Sequence, residues 1–381
     1  MRIGIFTDTY PPFINGVSTS ITMLQKALTD KGHKVYIVTV NPENMSYKYD
    51  EDDSVIRIPG IPVGIYDYRL TGIYPIRAIN KIKKWNLDVI HSHTEFGIGT
   101  FARIISKQLQ IPLVHTYHTM YEDYVHYITK GHFDKSSKKI VEYLTKFYCD
   151  KTAKELIVPS TKTYKLFKEK YKFDKNVHIV PTGVEVERFY KENVSKEEIA
   201  KIKKELNLKK DDIVILYVGS GPDYEKYIQM AEKLKIKKNI LFTNAIPWED
   251  MPNYYNLADV FVTASKTETQ GLTVIEAMAA SLPVVCIEDE SFSNVVINHL
   301  NGRTFTDDKE YKMALLETIK DKKQLEKMAK QARITAEAHS LKYYAESILD
   351  VYNSAIEGSK KNKNIVTKIT EIVKRGLDGK E

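Results

Sequence analysis

Short β-branched runs alternate along most of this chain with stretches whose apolar residues recur every three or four positions. In the first half, Arg2–Phe6, Lys34–Val40, Val55–Ile58, Ile111–Thr116, Glu155–Ser160 and Val177–Val180 read as strands. Ser18 is expected to cap a helix carrying Ile21, Leu24 and Leu28 on one face, and Pro75 to start another carrying Ile76, Ile79 and Ile82. In the second half the predicted strands are Ile213–Val218, Asn239–Thr243, Val260–Val262 and Pro283–Ile287. Helices are expected over Lys196–Leu206, Tyr224–Leu234 and Met251–Leu257, and after Ser340 with Leu341, Ala345, Ile348 and Tyr352 on one face. Asn301-Gly302 reads as a turn. Strands alternating with helices imply an α/β protein with parallel, doubly wound sheets.

The most informative stretch is Asp259–Pro283, DVFVTASKTETQGLTVIEAMAASLP. An apolar strand ends in a polar loop with a glycine, and a helix starts at once, with Leu272, Ile275, Ala279 and Leu282 on one face. Ligands of open α/β sheets sit at such strand ends. The unpaired N–H groups and positive dipole end of the helix suit a phosphate. Glu268 in the loop and Glu276 in the helix would repel that phosphate, but ionised carboxylates accept hydrogen bonds from neutral hydroxyls. A ligand with both kinds of group is a nucleotide sugar. An ordinary capped helix with acids in its first turns has the same pattern.

Other polar clusters lie at strand ends. After Phe6 comes Thr7–Val17, where Gly16 could let backbone approach a phosphate closely or simply make a turn. His91 and His93, two residues apart, share one strand face, which suggests one packed ring and one that helps with substrate. Tyr117–Tyr127 packs four tyrosines, two histidines and two acids into one loop, and His118 could donate to a sugar hydroxyl or leaving oxygen. Two histidines so placed could bind a metal, but no Cys or acid cluster supports one at His91 and His93, and no metal site is expected.

At 381 residues the chain is expected to hold two domains. No run of about 18 apolar residues suggests a transmembrane helix. MRIGIFTDTYPPF reads as a first strand and not a secretory leader, which points to the cytoplasm. Cys149 and Cys286 are then expected to be reduced structural thiols. The net charge of +7 permits an anionic membrane surface as partner, and no nucleic-acid motif accompanies it. Basic Arg77, Lys81, Lys83 and Lys84 beside Tyr66, Tyr68 and Tyr74 suit a membrane interface or a solvated helix face. So does the tail past Gly358, with Lys360, Lys361, Lys363, Lys368, Lys374 and Arg375 among Ile365, Ile369, Ile372 and Val373, although disorder or docking on the first domain suits it equally.

TETQGLTVIEAMAA, with its E-x7-E pair, resembles the signature of retaining family-4 glycosyltransferases of GT-B fold, two Rossmann-like domains facing a cleft. Asn15-Gly16-Val17 keeps the second glycine of that family's first-loop Gly-Gly-Val. HSHTEFGIGTFAR and TYHTMYEDYVHY look like the bacterial 1,2-diacylglycerol 3-glucosyltransferases. The resemblance implies transfer of glucose from UDP-glucose to diacylglycerol at the inner membrane face, with no metal or other cofactor. By that resemblance His118 and Glu268 act on the donor sugar, and Gly16 with the backbone of Gln270, Gly271 and Leu272 holds phosphate and sugar. Glu276 takes the ribose, and Tyr66, Tyr68, His93, Tyr121 and Asp123 face the acceptor. The domains are expected as 1–185 for acceptor, 186–210 linker, 211–338 for donor, 339–358 a helix crossing back, and 359–381 a basic amphipathic tail.

One departure stands out. Members of the family carry a βα unit between two Val-Gly strand ends, and its Arg and Lys grip the diphosphate. Here the two ends coincide in Val218-Gly219, so a strand, a helix and both cations are missing. A non-lipid acceptor, or a membrane-associated binding protein without catalysis, therefore stands beside the favoured reading.

Overall fold

The computed structural model describes residues 1–13, 15–62, 69–95, 97–118, 142, 145, 149, 153–218, 223–243, 246–266 and 268–378, with side chains as far as residue 360. The chain forms two compact units, Met1–Gly183 with Leu341–Glu381, and Val184–Ser340.

The first unit is built on an eight-stranded sheet of order β10-β9-β8-β7-β1-β2-β4-β3. Its strands are β1 (Arg2–Phe6), β2 (Lys34–Val40), β3 (Lys48–Tyr49), β4 (Val55–Ile58), β7 (Val89–Ser92), β8 (Leu113–Thr116), β9 (Glu155–Val158) and β10 (Asn176–Ile179), while β5 (Gly60–Pro62) and β6 (Arg69–Thr71) form a separate hairpin. All neighbours are parallel except the short β3. The strand order reverses between β1 and β7, so a crevice opens past their carboxyl ends. Helices α1 (Gly16–Asp30), α2 (Ile76–Trp85), α3 (Gly97–Leu109) and the short α4 (Thr161–Lys165) follow their strands. α1 buries Ile21, Leu24 and Leu28, as their spacing requires. Its cap is Asn15, whose side chain accepts from Ser18 N at 2.9 Å, and not Ser18. Ser18 is buried inside the helix, which starts three residues earlier than its sequence suggests because Asn15 accepts from the third N–H of the first turn.

The second unit is smaller. The stretch 186–210, expected as a linker, is built into it: Val186 and Phe189 lie in its core and α5 (Lys196–Glu205) follows. A four-stranded parallel sheet of order β11-β12-β13-β14 comprises β11 (Ile215–Leu216), β12 (Val260–Thr263), β13 (Val284–Ile287) and β14 (Gly302–Phe305). Helices α6 (Tyr224–Lys233), α7 (Met251–Leu257), α8 (Leu272–Ala279), α9 (Asp308–Lys320) and α10 (Lys322–Glu337) complete it. The expected strand Asn239–Thr243 does not form, and the expected strand at Ile213–Val218 shrinks to two residues. A strand exists only by pairing, and among the described residues β11 has β12 alone as its neighbour. Ile213, Ile215, Tyr217, Ile240 and Leu241 are all exposed here, apolar side chains without the layer that would cover them.

The chain then returns to the first unit as one helix, α11 (Leu341–Asp378), whose Tyr344, Ala345, Ile348 and Tyr352 are buried in that unit's core. The expected tail continues this helix as far as Asp378. Among the described residues no helix is long and apolar enough to cross a membrane.

Candidate functional site

In the second unit, β12 ends at Thr263 and the loop to α8 carries Glu268 and Gln270. Gly271 precedes the helix with φ +78°, and a Cβ there would lie 2.4 Å from the Phe292 ring. Only glycine fits both demands. The cap residue Gly271 makes no side-chain hydrogen bond and the first turn of α8 holds no acid, so the N-cap itself does not satisfy the first-turn N–H groups. Gln270 is buried and Leu272 half-buried against the core. Glu268 accepts a 3.2 Å hydrogen bond from Ser265 Oγ. Glu276, on the next turn of α8, accepts from Tyr255 Oη at 2.8 Å. Burial raises the Glu276 carboxyl above its ordinary value of 4.5, against the lowering pull of Tyr255 and the Arg188 charge. Glu268, Gln270, Gly271, Leu272 and Glu276 thus lie together around one helix start, whereas Gly16 belongs to the other unit.

Gly271→Ala is expected to destabilise the second unit by about 2–4 kcal/mol, combining left-handed backbone strain with the Phe292 contact. Thermal unfolding checks this, and an unchanged midpoint would mean that Phe292 yields freely.

In the first unit, four imidazoles gather at the carboxyl ends of β7 and β8. His91 Nδ1 meets Tyr352 Oη at 2.7 Å and its Nε2 meets Thr116 Oγ1 at 2.6 Å. His115 is held by Ser92 Oγ at 2.8 Å and Glu95 Oε1 at 3.2 Å. His93 Nδ1 lies 2.8 Å from His118 Nε2. Burial keeps all four neutral: it pulls His91 and His93 well below 6.5, His115 below it, and His118 to about 4. As the strand spacing implied, His91 and His93 share a face, their rings 4.0 Å apart. His91 is the packed ring of the pair.

Asp8, at the end of β1, binds this cluster to α3. It accepts from Ile98 N at 3.0 Å and from Thr94 Oγ1 at 2.5 Å, and burial raises its carboxyl. Gly99 lets α3 approach, since a Cβ there would sit 1.7 Å from the Thr94 carbonyl oxygen. Gly16 starts α1 beside Asn15, whose amide donates to Thr9 Oγ1 at 2.8 Å, and a Cβ on Gly16 would meet nothing within 4 Å. The chain's own packing therefore does not require that glycine. Tyr66, Tyr68, Tyr121 and Asp123 lie outside the described residues.

Sequence reading missed Asp8, Glu95, His115 and Tyr255. HSHTE does place Thr94 and Glu95 beside the expected histidine, but nothing in the spacing joins Asp8 to residue 94 or Tyr255 to Glu276. Both cysteines are buried and in no disulfide, and burial pushes the Cys286 thiol up to about 12.

Residues 14–188 match the family described as Glycosyltransferase Family 4, and residues 164–335 match Glycosyl transferases group 1. An alpha-monoglucosyldiacylglycerol synthase of Acholeplasma laidlawii is 32% identical over 401 aligned positions, taking in 96% of this chain and 100% of the relative. That alignment is longer than this 381-residue chain, so the relative has residues with no counterpart here. An enzyme of the same description from Streptococcus pneumoniae is 33% identical over 351 positions, 84% of this chain and 78% of the relative. Among solved structures, sucrose-phosphate synthase from Thermosynechococcus elongatus superposes with a TM-score of 0.71 at 18% identity, covering 93% of this chain and 99% of that one. That likeness speaks for the fold alone, which is GT-B.

Proposed function

This chain belongs to glycosyltransferase family 4, among the glycolipid-forming hexosyltransferases, and on that premise we propose that it transfers glucose from UDP-glucose to 1,2-diacylglycerol with retention at the anomeric carbon, on the cytosolic face of the membrane. The observation that carries the donor half is the uncapped start of α8 between Glu268 and Glu276. Its N–H groups at Gln270, Gly271 and Leu272 take the diphosphate and sugar, which a helix N-terminus favours. Glu268 accepts from a sugar hydroxyl, and Glu276 accepts from the ribose with the oxygen that Tyr255 leaves free. The departing diphosphate collects negative charge, and oriented N–H groups stabilise it without reorganisation. Gly16 offers backbone to the same phosphates, and His118 donates to the donor sugar. The reaction needs no metal in this reading.

The acceptor side rests on His93, Tyr66, Tyr68, Tyr121 and Asp123. A lipid acceptor is supported by the exposed Ile61, Leu70, Ile73, Tyr74 and Ile76 around the β5–β6 hairpin and the start of α2, with Arg77, Lys83 and Lys84 beside them. Exposed apolar residues bordered by cations suit an anionic bilayer surface. The basic C-terminal part of α11 would add to the same attraction.

Purified protein with diacylglycerol-containing anionic liposomes should release UDP from UDP-glucose and form monoglucosyldiacylglycerol, and no release of UDP would sink the reading. A non-catalytic binding protein is the second reading, favoured by the missing βα unit. Undetectable UDP binding in calorimetry would select it.

A further inference from the structure

His93 is the one imidazole of the four with an enclosed nitrogen that has no partner: its Nε2 is buried and unbonded, and the side chain is 1% exposed. Its Nδ1 is engaged with His118 Nε2 at 2.8 Å, the rings stacked with centroids 5.1 Å apart. On its other side stands His91, whose two nitrogens are already committed to Tyr352 and Thr116. His91 can therefore supply nothing to the idle nitrogen.

Two neutral imidazoles in such a contact hold one hydrogen between them, so only two arrangements exist. In the first, His118 donates from Nε2. His93 then accepts at Nδ1 and must carry its own hydrogen on Nε2, a buried N–H with no acceptor among the described residues. Orphaned buried N–H groups are rare, and each costs about 1–3 kcal/mol. This arrangement also leaves His118 with a bare Nδ1, unable to donate to anything. In the second, His93 donates from Nδ1 to His118 Nε2. The enclosed Nε2 of His93 is then a bare lone pair, which buried sites tolerate better than an orphaned N–H, and His118 carries its hydrogen on Nδ1. The hydrogen bond made at one ring nitrogen sets what the other can do.

We infer that His93 is a positioning residue that fixes the tautomer of His118: its Nδ1–H donates to His118 Nε2, and His118 presents an Nδ1–H donor. The role of that donor toward the sugar rests on the glycosyltransferase reading, whereas the tautomer pair rests on the geometry alone.

Selective ¹⁵N-histidine labelling of the full chain, with long-range ¹H–¹⁵N correlations near pH 7.5, reads the tautomers directly. His118 and His93 are assigned from the spectra of His118→Gln and His93→Phe. The expected result is a protonated Nδ1 and a bare Nε2 on both rings in the wild-type protein. In His93→Phe, which keeps ring volume and loses the donor, His118 should move toward its Nε2–H form. His93→Asn, whose amide nitrogen falls near the Nδ1 position, should restore the wild-type pattern. In turnover of UDP-glucose, His93→Phe should lower kcat by about tenfold or more with KM for the nucleotide sugar little changed, and His93→Asn should recover most of it. A wild-type spectrum with His118 protonated on Nε2 overturns the inference, as does a His118 tautomer indifferent to His93→Phe. If the wild-type protein shows the expected tautomers but never consumes UDP-glucose, the functional reading falls and the histidine pair stands. The wild-type spectrum decides even if a variant fails to fold.

Discussion

Lowering the pH from 7 to 5 is expected to strip about 4–6 kcal/mol from the stability of the first unit, a large share of what any domain has. The cause is the buried imidazole cluster. In the unfolded chain each of these histidines takes up a proton near 6.5, but burial holds His91 and His93 far below that value and His118 at about 4. Between those values the unfolded state binds more protons than the native state, so stability rises with pH and is lost as pH falls below 6.5. Each ring that stays neutral costs about 1.4 kcal/mol per pH unit over that window. His115 adds in the same direction, with burial and Arg103 lowering it against the raising pull of Glu95. Asp8 works the other way. Its carboxyl is raised by burial, so the native state binds that proton first and acid gives a little stability back.

The chain's two tryptophans separate the units, Trp85 in the first and Trp248 in the second. Urea unfolding of Trp248→Phe, followed by Trp85 emission at pH 7 and pH 5, should show the midpoint falling sharply. In Trp85→Phe, Trp248 should report a smaller change, since His339 is the lowered histidine of the second unit among the described residues. Equal midpoints for the first unit at the two pH values would mean that the cluster already carries protons at neutral pH.

The second large effect concerns the nucleotide. Inserting a βα unit that bears an Arg and a Lys after Val218 is expected to tighten UDP binding about a hundredfold or more. Each charge-assisted hydrogen bond to the diphosphate is worth about 1.5–3 kcal/mol, and 1.4 kcal/mol is a factor of ten. The exposed flank of β11 prepares the place. Ile213, Ile215, Tyr217, Ile240 and Leu241 present apolar surface that an added strand and helix would cover. Tighter UDP binding in calorimetry should therefore come with a higher unfolding midpoint. If the wild-type protein already binds UDP tightly and the insertion adds nothing, the diphosphate is held by groups other than the lost pair.

Legibility in the sequence followed the range of the interactions involved. Buried parallel strands such as β1, β2 and β12 are nearly continuous apolar runs, so they announce themselves locally. The Glu268–Glu276 stretch was readable because strand, glycine and helix start are contiguous. β14 was not, because GRTF has no strand pattern of its own and is recruited by its register with β13. Asn239–Thr243 failed for the converse reason: it has a strand's composition, but the described sheet offers it no neighbour. The pairings His115–Glu95, Asp8–Thr94 and Tyr255–Glu276 join residues on different elements, and spacing along one element cannot show them.

The first unit is made from both ends of the chain, Met1–Gly183 and the helix that begins at Leu341. During synthesis its sheet is finished long before Tyr344, Ile348 and Tyr352 exist to cover it. At about 5–20 residues per second the wait is on the order of 10–30 s, with a large apolar face open to the surroundings. Val184–Ser340 is contiguous and can close on itself in that interval. The nascent protein therefore completes its second unit first and its first unit last, and a ribosome stalled near residue 340 would leave a chain in need of a chaperone.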